Sequence, residues 1–165
     1  MDAKSGLTTT TVRDVMTTRP ITIDPEAPLA TAIAVMREKE IRHLPVVDDE
    51  SRLVGIITDR DLRSAALAPA LAEFLPSGMR RELDGAARTL GELRVKDAMT
   101  WSVVTTRPGA SISEAAAVMF ERRVGSLPVR DNGKLVGIVT ERDIFKALLM
   151  AIPAVRGADP DTFFW

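Results

Sequence analysis

The stretches RLVGIITDRDL (residues 52–62) and KLVGIVTERDI (residues 134–144) are nearly the same. The similarity extends outward from both stretches, in the same order and with nearly the same spacing. The further matching segments are VRDVMT (12–17) with VKDAMT (95–100), and HLPVV (43–47) with SLPVR (126–130). A chain of 165 residues that repeats so much of itself is a duplicated unit.

The duplication predicts how the chain is divided. The predicted segments are an N-terminal tail (1–11), a first unit (12–65), a connector (66–94), a second unit (95–148) and a C-terminal tail (149–165). A unit of this length is marginal alone. We therefore expect the two units to pack with pseudo-twofold symmetry and to form related clefts where they meet. The connector is rich in Ala, Leu and Arg, and we expect it to be partly helical and broken at Pro69 and at PSG (76–78).

Each unit is predicted to have the order β-α-β-β-α, preceded by a short lead helix, which makes the chain an α+β protein. A short extended stretch (21–23 or 104–106) is followed closely by a proline, and an amphipathic helix comes next. The helix residues spaced for one face are Leu29, Ile33 and Met36 in the first unit, and Ile112, Ala116 and Met119 in the second. Two strands follow, and Asn132-Gly133 between them is a strong hairpin signal.

The composition excludes several classes of protein. The chain has no Cys and one His, so disulfides, thiolate chemistry and sites that need two imidazoles are excluded. Its net charge is −1 without a long run of one sign, which argues against a general nucleic-acid or anionic-membrane binder. No apolar run is long enough to span a bilayer, and the N-terminus has no apolar signal core, so we expect a cytoplasmic protein.

The pattern Thr-x-Arg-Asp at 58–61 and 140–143 allows two interpretations. In the first, Thr caps a helix and Asp returns a hydrogen bond, although such boxes usually end in the longer Glu or Gln. In the second, an anion at the helix start binds backbone N–H groups, the Thr hydroxyl and the Arg, and Asp accepts bonds from vicinal hydroxyls. A phosphate together with a diol describes a nucleotide. Both interpretations remain open at this point.

The duplicated pattern VMT…P.T..P…A…M…I..LPVVD…LVGI.T.RDL resembles the cystathionine-β-synthase (CBS) domain, and two copies in tandem resemble a CBS pair, or Bateman module. The arrangement is similar to stand-alone bacterial CBS-pair proteins, including the acetoin-utilisation type. The resemblance implies adenosyl ligands (AMP, ADP, ATP or S-adenosylmethionine) in the clefts between units, and a homodimer of pairs. It implies ribose contacts from Asp61 and Asp143, hydroxyl contacts from Thr58 and Thr140, and phosphate contacts from Arg60 and Arg142.

The resemblance also implies that residues 17–22 meet 140–143 and that residues 100–105 meet 58–61. The full predicted nucleotide-binding set is Thr17, Ile21, Thr22, Arg42, His43, Thr58, Arg60 and Asp61 from the first repeat, with Thr100, Val104, Thr105, Thr140, Arg142 and Asp143 from the second. Arg42-His43 corresponds to Gly125-Ser126. We therefore expect the cleft at Thr58 and Asp61 to prefer the more highly charged ligand.

The leading functional hypothesis is a ligand-sensing regulator that signals through its conformation or dimer geometry to an effector protein. The alternative is a structural dimerisation or adaptor module whose clefts bind nothing. An enzyme is disfavoured because no nucleophile–base pair or phosphate loop is recognisable, so no catalytic residue, metal site or required cofactor is predicted. Met16 and Met99 are expected to fill the core. Gly55 and Gly137 are expected either to allow close approach of a ligand or of neighbouring backbone, or to allow tight packing of a strand against a helix.

Overall fold

The structure of the chain, a computed structural model, describes residues 10–72 and 93–151. The rest of the predicted connector and both ends of the chain, including the aromatic DPDTFFW segment, lie outside these residues. The helices are α1 (Val12–Val15), α2 (Leu29–Glu38), α3 (Asp59–Ala72), α4 (Val95–Ala98), α5 (Ile112–Arg122) and α6 (Glu141–Ala151). The strands are β1 (Thr17–Thr18), β2 (His43–Val47), β3 (Leu53–Thr58), β4 (Ser126–Asp131) and β5 (Lys134–Thr140).

The chain forms two compact units, and each unit contains the lead segment of the opposite sequence repeat. Residues 20–103 form one unit, here called the β2–β3 unit, and residues 1–19 with 104–165 form the other, the β4–β5 unit. Helix α1 therefore lies with the second repeat, where Val12 N donates to Ala110 O at 2.8 Å. Helix α4 lies with the first, where Val95 N donates to Ala27 O at 2.9 Å. The α+β class with two units is confirmed.

Antiparallel hairpins form the centre of both units. Strand β2 pairs with β3, and β4 pairs with β5, whose other edge carries the two-residue strand β1. Asn132 and Gly133 have φ values of 48° and 81°, the left-handed values that a tight two-residue hairpin turn requires, so the predicted turn is confirmed.

The extended stretch predicted at the start of each unit is only a single-residue bridge. Ile23 pairs in parallel with Val46, and Thr106 pairs in parallel with Val129. The predicted extended stretch is short because the chain turns away from the sheet immediately afterwards. Ala27 N donates to Asp24 O and Ala110 N donates to Arg107 O, both at 3.1 Å, across the turns that contain Pro25 and Pro108.

Each unit has its own apolar core, and the helix face that enters it differs from the predicted one. The buried helix residues are Leu29, Ala32 and Met36 in α2, and Ile112, Ala115 and Met119 in α5. Ile33, whose spacing predicted the same helix face as Leu29 and Met36, is 47% exposed, and Ala116 is only half-buried. A spacing of three and then four residues serves the core as well as four and then three, because both keep side chains on one helix face.

Two methionines of the lead segments pack on glycines of the central strands. A Cβ built at Gly55 would lie 2.4 Å from Met99 Sδ, and one at Gly137 would lie 2.7 Å from Met16 Sδ. Met99 is buried in the core of the β2–β3 unit, and Met16 packs against the core of the β4–β5 unit. Both methionines therefore fill core space, as predicted, and each glycine makes room for a lead segment.

Helix α3 continues to Ala72, so the break expected at Pro69 was wrong. A proline inside a helix lacks the N–H that would bond to the carbonyl four residues earlier, but the helix can continue past it. In the part of the chain that the structure describes, no helix is long and apolar enough to cross a membrane.

Candidate functional site

The Thr-x-Arg-Asp turn of the β2–β3 unit joins the end of β3 to the start of α3. The carboxylate oxygen Oδ2 of Asp61 accepts hydrogen bonds from Thr58 N at 2.8 Å and from Thr58 Oγ1 at 2.7 Å. Asp61 N donates in return to Thr58 Oγ1 at 3.3 Å. The residues thus cap the helix reciprocally. The objection that Asp is too short for this role was wrong, since the carboxylate reaches the N–H and the hydroxyl of the capping residue together.

The turn of the β4–β5 unit has the same geometry at the junction of β5 and α6. Asp143 Oδ2 accepts bonds from Thr140 N at 2.8 Å and from Thr140 Oγ1 at 2.7 Å, and Asp143 N donates to Thr140 Oγ1 at 3.4 Å. Both turns are half-buried. The duplication has therefore preserved the residue types and their hydrogen bonds.

The chain contains a third Thr-x-Arg-Asp sequence, at residues 11–14, that the sequence reasoning missed. There Asp14 Oδ2 accepts bonds from Thr11 N and Thr11 Oγ1, both at 2.7 Å, and these bonds lower the pKa of the Asp14 carboxyl. This copy is exposed and starts a helix of only four residues. The capping bonds alone therefore do not distinguish a ligand site, and neither does an Arg at the third position.

The neighbouring strand distinguishes the turn of the β2–β3 unit. His43 lies opposite Thr58 in the sheet, and Asp59 N donates to Arg42 O at 3.0 Å. Arg42 is exposed and His43 is half-buried, so the structure places two basic residues directly beside the turn. The third copy, at residues 11–14, has no strand of this kind among the described residues around it.

In the β4–β5 unit the same backbone arrangement carries no basic side chains. Ser126 lies opposite Thr140, and Glu141 N donates to Gly125 O at 3.0 Å. Ser126 is buried, with 5% of its surface exposed. The two turns thus have the same backbone arrangement, but only the turn of the β2–β3 unit has basic residues beside it.

Both turns keep groups that are not used by the cap. Arg60 and Arg142 are exposed, and neither has a carboxylate within 4 Å among the residues that the structure describes. The second carboxylate oxygen, Oδ1, of Asp61 and of Asp143 accepts no hydrogen bond from the described residues. A guanidinium and a carboxylate oxygen are therefore available for a ligand at each turn.

The threonines of the two lead segments pair with the strands that precede the turns. Thr17 is opposite Ile138, and Thr100 is opposite Ile56, with Ile56 N and Thr100 O 3.0 Å apart. Each opposing residue lies two positions before the Thr of its turn, which corresponds to about 7 Å along a strand. The exchange of lead segments therefore brings Thr17 to the turn at 140 and Thr100 to the turn at 58.

The remaining predicted residues lie in the unit opposite to their predicted partners. Ile21 and Thr22 are exposed residues of the β2–β3 unit, and Val104 and Thr105 are half-buried residues of the β4–β5 unit. Their pairing with the turns at 140–143 and 58–61 stays a prediction. Within residues 10–72 and 93–151, no group of three or more Asp, Glu or His side chains is arranged to hold a metal ion.

Comparison with protein families finds the CBS domain twice, at residues 12–68 and 95–150. The chain is 35% identical over 145 residues to a CBS domain-containing protein of Dictyostelium discoideum, a match that covers 87% of this chain and 94% of that protein. The resemblance seen in the sequence is therefore confirmed.

Solved structures with the same fold include adenosyl complexes. CBSX2 in complex with AMP has a TM-score of 0.70 and 30% identity, with 86% of this chain and 97% of that chain covered. The CBS domain pair of MJ0100, in complex with 5′-methylthioadenosine and S-adenosyl-L-methionine, has a TM-score of 0.66 and 28% identity, with 83% and 94% covered. A Vibrio cholerae protein described as an acetoin utilization protein (AcuB) has a TM-score of 0.67 and 28% identity, with 91% and 98% covered.

Proposed function

Because the chain belongs to the CBS-domain family, we propose that it is a regulatory protein that binds an adenosyl nucleotide at each half-buried Thr-x-Arg-Asp turn. The ligand is AMP, ADP, ATP or S-adenosylmethionine, and the protein catalyses no reaction of its own. The similar structures CBSX2 and MJ0100 hold AMP and S-adenosylmethionine, respectively, which supports an adenosyl ligand here. Binding changes the conformation or the dimer contacts, and an effector protein responds to that change.

The proposal rests on polar groups at the two turns that the helix caps do not use. Thr58 holds one oxygen of Asp61 and leaves the other oxygen open, and Thr140 does the same for Asp143. A fixed carboxylate oxygen accepts hydrogen bonds from the two hydroxyls of a ribose. Beside it, an unpaired Arg at the start of a helix favours the phosphate, because the helix dipole and the guanidinium are both positive there.

The third turn of this sequence type provides a matched control for the binding experiment. Asp61→Ala and Asp143→Ala remove the proposed ribose acceptors, whereas Asp14→Ala removes the same capping bonds at an exposed turn without the rest of the site. Calorimetric titration with AMP and ATP should show that the first two variants lose affinity at their own sites by about ten- to one-hundredfold, since a charge-assisted hydrogen bond contributes about 1.5–3 kcal/mol.

Asp14→Ala should bind both nucleotides as wild type does, even though it also loses a helix cap. Equal binding by all three variants would contradict the proposed sites. An equal loss of affinity in all three variants would show that removing a cap weakens binding only by destabilising the fold. The free energy of unfolding is therefore measured for each variant alongside the titration.

The two sites are proposed to differ in the charge of their ligand. Arg42 and His43 lie beside the turn at Thr58, and Gly125 and Ser126 occupy the same places beside Thr140. Arg42→Ala should weaken ATP binding about fivefold, which is about 1 kcal/mol for a partly screened charge, and should change AMP binding less. An equal loss for both nucleotides would contradict a role for Arg42 in sensing phosphate number.

A homodimer is part of the proposal, and the β4–β5 unit carries an apolar surface suited to it. Phe120 is 86% exposed, and Phe145 and Leu149, one helical turn apart on α6, are 62% and 51% exposed. A contiguous patch of exposed apolar side chains is typical of an interaction site, and Phe145 and Leu149 form such a pair on α6. Phe145→Glu should shift the molar mass in light scattering from dimer to monomer, and Lys146→Glu on the same helix should not.

One observation favours the structural alternative, in which the turns serve only as caps. All three Thr-x-Arg-Asp sequences make the same hydrogen bonds from Thr to Asp. Under this alternative the wild-type chain dimerises but binds none of the four adenosyl ligands. The titration and the light-scattering experiment together therefore separate the two functions.

A further inference from the structure

A polar cavity that is open to solvent lies in the β4–β5 unit, at the hairpin end of its sheet. Its volume is about 530 Å³, and its polar lining consists of Thr105, Thr106, Arg107, Glu114 and Arg130, with Gly133 at the hairpin turn. Gly133 immediately precedes β5, and the turn at Thr140 lies at the other end of that strand, about 20 Å away for a strand of this length. The cavity is therefore separate from the turn at Thr140, and it shares one residue, Thr105, with the predicted nucleotide-binding set.

Two arginines line this cavity, and neither has a carboxylate partner among the residues that the structure describes. The guanidinium of Arg130 is held by the carbonyl oxygen of Gly133, with distances of 3.3 Å from Nε and 3.1 Å from Nη2. Its remaining nitrogen, Nη1, makes no hydrogen bond to the described residues. Arg107 has no carboxylate within 4 Å among those residues.

The one carboxylate of the lining is engaged elsewhere. Glu114 Oε2 accepts bonds from Ser111 N at 2.8 Å and from Ser111 Oγ at 3.1 Å, so it caps helix α5. Those bonds, and then the nearby charge of Arg107, lower the pKa of Glu114. Glu114 therefore stays ionised and bound to Ser111 at neutral pH, and the lining has two positive charges and one negative charge.

The other repeat shows that these arginines are not needed to build the fold. The equivalent backbone is kept in the β2–β3 unit, where Val47 N donates to Ile23 O at 3.0 Å, just as Arg130 N donates to Thr106 O at 2.9 Å. In that unit the positions of Arg107 and Arg130 hold Asp24 and Val47. The same framework thus carries no arginine at either position in one repeat and two arginines at one cavity in the other.

We propose that this cavity binds the phosphate group of a small phosphate ester, at a position distinct from the turns at 58–61 and 140–143. Two guanidinium groups match the several oxygens of a phosphate dianion, and the hydroxyls of Thr105 and Thr106 add further donors. The cavity is within the size range of small-molecule sites, about 300–1,000 Å³, so it has room for more than the phosphate itself.

The test is a titration of isotope-labelled protein followed through its backbone amide signals. The probes are inorganic phosphate and glycerol 3-phosphate, with sodium chloride at equal ionic strength as the reference. We expect saturable shifts at residues 105–107 and 130–133 with both phosphates and not with chloride. The variant Arg107→Asp with Arg130→Val, which carries the residues of the other repeat, should lose at least about tenfold in affinity at this site.

The charge control, Arg122→Asp with Arg123→Asn, changes the net charge by the same amount at the exposed far end of α5 and should bind phosphate as wild type does. The cavity variant, Arg107→Asp with Arg130→Val, should keep the amide spectrum of a folded chain away from the cavity. The proposal would be overturned by shifts that follow ionic strength equally with chloride, or by shifts that persist in the cavity variant. It would also be overturned by shifts that occur only at 58–61 and 140–143. Failure of AMP to bind would leave it standing, because the two sites are titrated separately.

Discussion

Substitution of Gly137 by alanine tests the packing of the exchanged lead segment on the central sheet. A Cβ at this position would lie 2.7 Å from Met16 Sδ and 3.0 Å from Thr17 O. The sulfur can move, but the carbonyl belongs to strand β1, which pairs with β5 at this point. Either the two strands separate or the alanine is strained, so Gly137→Ala should destabilise the protein.

The magnitude follows from two opposing contributions. Overpacking of a well-packed site costs about 1–3 kcal/mol, and replacing Gly by Ala recovers about 0.4–1 kcal/mol by restricting the unfolded chain. With a backbone atom as the obstacle, the upper part of the first range applies, which leaves a net loss of about 2 kcal/mol. For a chain of this size that corresponds to a melting temperature lower by about 4–8 °C.

Gly55→Ala and Gly109→Ala complete the experiment. At Gly55 the three nearest atoms all belong to the side chain of Met99, so this variant should lose less stability than Gly137→Ala. At Gly109 an added Cβ meets nothing within 4 Å, so this variant should match or slightly exceed wild type. Urea denaturation gives the free energy of unfolding for each. If Gly137→Ala is as stable as Gly109→Ala, the described contact of the lead segment with β5 is wrong.

Three further outcomes follow from the described residues. Gly133→Ala should lower the free energy of unfolding by about 1 kcal/mol in urea denaturation, because φ is +81° there and an L side chain is disfavoured. Ser111→Ala should cost about 1 kcal/mol as a lost cap and should raise the pKa of Glu114 toward its usual value in an NMR titration. Folding lowers the pKa of Glu114 from its value near 4.5 in the unfolded chain. The stabilisation by the ionised carboxylate should therefore be complete above that pH and should disappear as the pH falls through the lowered pKa of the folded protein. The difference in stability between wild type and Glu114→Gln should shrink in that acid range.

The sequence predicted the features that depend on local chemistry. The hairpin turn at Asn132-Gly133 follows from the left-handed conformations that these residues tolerate, and the helix starts at Asp59 and Glu141 follow from the preceding threonines. The buried helix faces were predicted less well. Alanine is apolar but small, so Ala32 gives a weaker signal than Ile33, although it is Ala32 that packs in the core.

The exchange of lead segments follows from the family resemblance, which placed Thr17 with the turn at 140 and Thr100 with the turn at 58, and not from the local sequence pattern. The segments VRDVMT and VKDAMT are so similar that their own residues do not decide which glycine each methionine meets. In the candidate sites, too, only the features that depend on neighbouring residues in the sequence were predicted. The residues of each turn are adjacent in sequence and were identified, whereas Arg107 and Arg130 meet only in the folded unit. Comparison of the repeats, position by position, would have revealed both arginines.

The most direct test of the central claim, that the turns at 58–61 and 140–143 are adenosyl sites, is thermal denaturation of the wild-type chain with AMP, ADP, ATP and S-adenosylmethionine in turn. A ligand present at about one hundred times its dissociation constant should add about 2.7 kcal/mol per site to the free energy of unfolding. For a chain of this size, that raises the melting temperature by about 5–10 °C. An unchanged melting temperature with all four ligands at millimolar concentration would contradict the claim.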